Sequence, residues 1–195
     1  DFLRKHGAVR IRTKGLEPDL TTIPATDKES YVKKYSIESR CVGGKIPLTG
    51  VMIDESSGTS GTPNNWVSGP KERAAVKYAM QTALHFLIGK DPIFFINAFA
   101  LGPWATGMNV SMSIVDIAIL KSTGPDLIKI ENTLNFFGPK YHYIISGYPP
   151  FLKSLADSTK VDWGKYNIKI SKVDISHHKN LRIAFIRGIY NIKTL

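Results

Sequence analysis

Eight consecutive residues, Ser56-Ser-Gly-Thr-Ser-Gly-Thr-Pro, hold five hydroxyls and two glycines. Glycine lets a backbone turn tightly and bring its N–H groups against a ligand, and hydroxyls add further donors. Such a set suits the oxygens of a phosphate. It is not a Walker A loop: no Gly-Lys-Ser/Thr follows, and the next helix signal, Pro70, stands nine residues past Gly61. The competing reading is a flexible Ser/Gly linker. Two features favour the ligand loop: it follows an apolar strand, and it lies inside an α/β pattern rather than between two of them.

The other reactive side chains offer less. Cys41 is the single cysteine and has no activating residues around it, which fits an idle or buried thiol. His177 and His178 stand together without a Cys or carboxylate cluster, so no metal site is expected. His85 falls on the polar stripe of a helix, and His142 alternates with Tyr141 and Tyr143 in a strand, a structural setting.

Several elements must position the loop. Gly50-Val-Met-Ile-Asp reads as a short strand ending at Asp54, and Asn65-Trp-Val as a second. Between Pro70 and Gly89 lies a helix with Arg73, Lys77, Gln81 and His85 four apart, predicting one wet stripe. Val76, Ala79, Met80, Ala83, Leu84 and Leu87 would cover its other, packed sides. Residues 92–99 read as a buried strand, 105–119 and 125–137 as helices, 141–146 as a strand and 150–158 as a short helix. Upstream, residues 27–35 read as one short helix capped by Thr26, with Glu29 in the capping-box position. Alternating short apolar strands and helices predict a layered α/β fold with a largely parallel sheet and crossover helices.

The 195 residues suffice for one domain with a core, and 43% hydrophobic with 22% charged residues excludes disorder along the whole length. A lone cysteine excludes a disulfide-stapled scaffold and suits a reducing compartment. The opening Asp-Phe-Leu-Arg-Lys has no apolar stretch of a secretory signal, and the two most apolar windows are interrupted by polar residues, Gly and Pro. A cytoplasmic protein without a membrane span is expected. The formal net charge is +10, and residues 168–195 carry six basic residues against Asp174 alone. That basic tail is compatible with nucleic acid or an anionic surface, but no aromatic-plus-basic motif accompanies it, and a solvated face is the plainer reading.

Asp54-Glu-Ser-Ser-Gly-Thr-Ser-Gly-Thr-Pro-Asn-Asn-Trp-Val resembles the phosphate-binding loop of the adenylate-forming (AMP-binding) enzymes, nearest the phenylacetate–CoA ligase-like branch. Asn97-Ala-Phe-Ala-Leu-Gly-Pro-Trp-Ala-Thr-Gly is similar to that branch's strand-to-helix segment beside the acyl pocket. Tyr143-Ile-Ile-Ser-Gly-Tyr-Pro-Pro-Phe-Leu resembles its next strand and turn, and Thr26-Asp-Lys-Glu-Ser-Tyr its segment before the loop. The likeness spans about residues 20–167, in one order.

The resemblance implies ATP-dependent activation of a carboxylic acid as an acyl-adenylate, then transfer to a thiol such as coenzyme A or a carrier thiol. It assigns ATP-phosphate binding to Ser56, Ser57, Gly58, Thr59, Ser60, Gly61 and Thr62, implies Mg²⁺, and places Phe99, Leu101 and Trp104 at the acyl pocket. Asp54 and Glu55 would orient the loop or help hold that ion. Many members carry a lysine beside the loop proline, whereas here Thr62 and Asn64 flank Pro63, and Lys71 is the next lysine. Past Ile170 the family's adenine, ribose and lid motifs have no counterpart, so the chain reads as an N-terminal fragment, 1–167, followed by the basic tail, 168–195. A fragment of this kind is expected to be inactive alone and to self-associate or pair with a missing C-terminal part, through Phe94-Phe95-Ile96, Tyr143-Ile144-Ile145 and Trp104. The alternatives are a non-catalytic remnant or interaction module of the same fold, and a basic nucleic-acid-binding domain.

Overall fold

Residues 93–97 are apolar up to a final asparagine, as a strand covered on both faces requires. In the computed structural model Ile93–Asn97 (β3) is an inner strand of a four-stranded sheet. The structure describes residues 13–14, 17–19, 21, 23–56, 58, 61, 63–88, 92–158, 161–166 and 184–187. Before β3 come Met52–Glu55 (β1), Asn65–Ser68 (β2) and the helix Pro70–Ile88 (α1). After it follow Ala105–Ile114 (α2), Ile119–Ser122 (β4), Leu127–Phe137 (α3), His142–Gly147 (β5), Pro149–Ala156 (α4) and Ala184–Arg187 (β6). The sheet order is β4-β3-β5-β6; the first three strands are parallel and β6 is antiparallel to β5. The protein is therefore α/β, with crossover helices joining its parallel strands.

Alternation along the strands divides the core in two. Phe94, Ile96, Ala98, Tyr143 and Ile145 pack on one face with Ile130 and Leu134 of α3 and Leu152 and Leu155 of α4. Ile93, Phe95, Phe99 and Ile144 pack on the other with Leu84 of α1 and Val110 and Ile114 of α2. This corrects the expectation that Phe94-Phe95-Ile96 and Tyr143-Ile144-Ile145 form a sticky surface. Helices of the same chain cover both faces, and these six side chains are buried.

Three further expectations shift. The segment 105–119 is not one helix: α2 stops at Ile114, a turn follows, and Ile119 opens β4, paired with Phe94. The helical turn near residue 28 is capped by Asp27, not Thr26, and its box partner is Ser30, not Glu29. The Ser30 N–H donates to Asp27 Oδ1 at 2.6 Å, and the Asp27 N–H to Ser30 Oγ at 3.2 Å. Its bonding is also wide, because the Lys33 N–H reaches the Lys28 carbonyl. Most of the basic tail lies outside the described residues, but Ala184–Arg187 within it forms β6.

The largest departure concerns α1. Part of its polar stripe faces the neighbouring helix: Gln81 Nε2 donates to the Ser113 carbonyl at 2.8 Å, and Lys77 forms a half-exposed ion pair with Asp116 after α2, while His85 stays exposed. Among the described side chains of the apolar set, Met80 and Leu84 turn into the core beside them. Val76, Ala79 and Ala83 are exposed, as are Tyr78 and Phe86, the last at 90%. Polar bonds between the two helices, rather than apolar burial alone, orient α1.

Candidate phosphate loop and the carboxyl edge of the sheet

β1 and β2 form an antiparallel hairpin, Glu55 opposite Asn65 and Met52 opposite Ser68, and the Ser/Gly loop is its turn. Within the loop the Ser56 N–H donates to Asn64 O at 2.9 Å, the Asn64 N–H returns to Ser56 Oγ at 3.0 Å, and the Gly61 N–H donates to Gly58 O at 2.8 Å. Gly58 has φ +64°, and a Cβ there would stand 2.8 Å from Pro63 Cγ and 2.9 Å from Gly61 O. Only glycine allows that closure without strain. These three N–H groups are thus spent inside the turn. Ser57, Thr59, Ser60 and Thr62 lie outside the described residues.

The carboxylates before the loop differ. Asp54 is buried and accepts from Ser68 Oγ at 2.7 Å, bracing the base of the hairpin. Glu55 is half-buried; its backbone N–H donates to the Pro103 carbonyl at 2.9 Å, and it forms a parallel bridge with Trp104. That joint ties the loop end of the hairpin to the segment leaving β3. Among the described residues no group of three or more His, Cys, Asp or Glu is placed to hold a metal ion.

The joint matters because of where β3 ends. The helix after β3, α2, lies on one face of the sheet, while the helix after β5, α4, lies on the other. In open α/β sheets, ligands bind outside the carboxyl ends of strands at such a divergence. Here those ends carry a polar row in register, Ser122, Asn97 and Ser146 on β4, β3 and β5. Asn97 is fully buried: its Nδ2 donates to Gly107 O and Ser111 Oγ, both at 2.8 Å, and its Oδ1 accepts the Phe99 N–H at 3.1 Å. Ser111 Oγ also meets Ser122 Oγ at 2.9 Å. Ser146 Oγ is buried with no hydrogen-bond partner among the described residues. The row needs strand register to be seen; composition alone carries no signal for it.

The residues assigned to an acyl pocket take different places. Phe99 is core, at 6% exposure; Leu101 is 40% exposed; Trp104 is half-buried at the hairpin joint. A separate groove of about 200 Å³ runs between α1 and α2, lined by Arg73, Ala74, Lys77, Asn109, Met112 and Ser113, none of them an expected site residue. No helix among the described residues is long and apolar enough to cross a membrane.

Fold and site together define an open α/β protein with a glycine-turned hairpin docked beside the carboxyl edge of its parallel strands. Compared with known proteins, the chain matches no protein-family model and no curated protein sequence.

Proposed function

We propose that this chain carries the triphosphate-binding part of an enzyme that activates a carboxylic acid as an acyl-adenylate and passes it to a thiol such as coenzyme A. One observation supports the reading above the others: the Glu55–Pro103 hydrogen bond, which ties the loop end of the hairpin to the segment leaving β3. A phosphate-type loop held next to a sheet edge where helices diverge suits an enzyme that must join ATP to a second substrate. Holding the leaving pyrophosphate there is electrostatic catalysis. Asp54 is committed to Ser68, which leaves Glu55 as the loop carboxylate open to a cation. Mg²⁺ rides mainly on phosphates and waters with one or two carboxylates, so this donor set fits it, and when bound it would neutralise phosphate charge. The acid faces Trp104 and Leu101, which favours an apolar or aromatic substrate.

The test is calorimetric titration of the full chain with inorganic tripolyphosphate and with Mg²⁺–ATP, beside acid-dependent ATP–pyrophosphate exchange over a panel of carboxylic acids. Saturable tripolyphosphate binding, lost in Gly58→Val, supports the reading. Wild-type protein that binds neither polyphosphate nor ATP overturns it. A second reading, an interaction module of the same fold, is favoured by the exposed Val76, Tyr78 and Phe86 of α1. It predicts concentration-dependent association that Phe86→Lys abolishes.

A further inference from the structure

The loop has no lysine beside its proline, and the next lysine after it does not serve. Lys71 opens α1, beyond the far end of β2, and four residues of strand span roughly 13 Å at ~3.3 Å each. A different cation stands at the near end. Arg40 closes the short helical turn Glu38–Arg40, and its Nη2 donates to the carbonyl of Asn65, the first residue after the loop, at 3.2 Å. That residue is the register partner of Glu55, at the joint with the sheet.

The state of this guanidinium is unusual. It is partly buried, its Nε is buried with no hydrogen-bond partner, and among the described residues it has no ion pair. Glu38 on the same turn and Glu55 across the hairpin both fail to reach it. A guanidinium keeps its five donors and accepts nothing, so the buried Nε–H without an acceptor carries an uncompensated cost. A bound anion removes that cost, and a phosphate accepts two parallel N–H bonds from the fork.

We infer that Arg40 is the cation that meets a bound phosphate at the hairpin turn, supplying from upstream of the loop the charge that the loop itself lacks. The inference rests on the phosphate reading of that loop. Asn65 O holds one side of the fork in place, so the guanidinium meets the anion with little entropy left to lose. Arg40 is in this sense a ligand contact that also fixes the loop's exit strand.

The experiment uses the full chain labelled with ¹⁵N and titrated with inorganic tripolyphosphate, with sulfate as the control anion. The Arg40 Nε–H signal, assigned by its loss in Arg40→Lys, should shift and saturate with the calorimetric affinity. Arg40→Gln should weaken tripolyphosphate binding at least tenfold, and Arg40→Lys less, because an ammonium keeps the charge and loses the fork. Tripolyphosphate binding that leaves the Arg40 signal unmoved overturns this inference and leaves the loop reading standing. Equal affinity for sulfate and tripolyphosphate also overturns it, as a surface cation would behave so. No polyphosphate binding by the wild-type chain overturns both. The signal is read in the wild-type protein, so a variant that fails to fold does not blunt the test.

Discussion

Asn97 and Ser146 face each other across the parallel ladder, equally buried, yet truncating them should move stability in opposite directions. In Asn97→Ala, three hydrogen bonds disappear. The Phe99 N–H, buried in the turn out of β3, loses its acceptor, whereas Gly107 O and Ser111 Oγ keep each other. An orphaned buried donor costs about 1–3 kcal/mol, and the vacated amide volume adds to it, so a loss of about 2–4 kcal/mol is expected. For a chain of this size, each kcal/mol is worth roughly 2–4 °C, placing the melting point ~4–16 °C lower. In Ser146→Ala, no bond is lost, because the hydroxyl has none. Relief of an unsatisfied hydroxyl is offset by the small void it leaves, and the variant should be unchanged to about 1 kcal/mol more stable. Urea unfolding followed by circular dichroism at equal m-values measures both. A Ser146→Ala variant destabilised by more than about 1 kcal/mol would refute the reasoning, because the hydroxyl must then hold a partner such as a buried water.

Three more outcomes are expected. Gly107→Ala should destabilise by at least ~3 kcal/mol, since a Cβ in the first turns of α2 would collide with the Ala100 carbonyl, a backbone atom that cannot rotate away; thermal melting measures it. Tyr143 is pushed up to about 12 by burial and by the neighbouring Tyr166 and Tyr141, so its neutral form belongs to the folded state; the stability it contributes is complete below pH ~10 and is lost as pH rises from 10 towards 12. Alkaline melting curves should therefore flatten in Tyr143→Phe, and a wild-type phenol titrating at the ordinary value by absorbance would contradict the assignment. Val76→Lys and Ala83→Glu, on the outward side of α1, should each change stability by no more than about 0.5 kcal/mol in urea titration, whereas a polar stripe facing water would require large losses at both.

The parallel core was legible because its signals are local: strand 93–97 is apolar except for its last residue, and Pro70 stands at the start of α1. β4 escapes the sequence pattern, its first residue reading as the end of the preceding helix, because Ile117-Ala-Ile-Leu is a short apolar run that suits either element; its pairing with β3 decides it. The stripe of α1 misled because Gln81 finds a partner on α2 and Lys77 one in the turn after it, and periodicity cannot tell a wet polar face from a bonded one. Thr26 and Asp27 are both capping types, one residue apart, with Ser30 and Glu29 equally able to answer; only geometry selects the pair. The loop showed in its glycines and hydroxyls. The row 122–97–146 and the reach of Arg40 to Asn65 are products of register and long-range packing, which no spacing in the sequence encodes.

The tie between hairpin and sheet is made of main-chain atoms on both sides: an amide at 55, a carbonyl at 103 and a bridge to 104. A joint of that kind is indifferent to side-chain identity. Glu55, Pro103 and Trp104 can be exchanged to suit a different acid or cation while the turn keeps its distance from the strand ends, and only a proline at 55, which removes the amide hydrogen, severs it. The scaffold thereby separates the freedom to change what is recognised from the geometry that makes recognition productive.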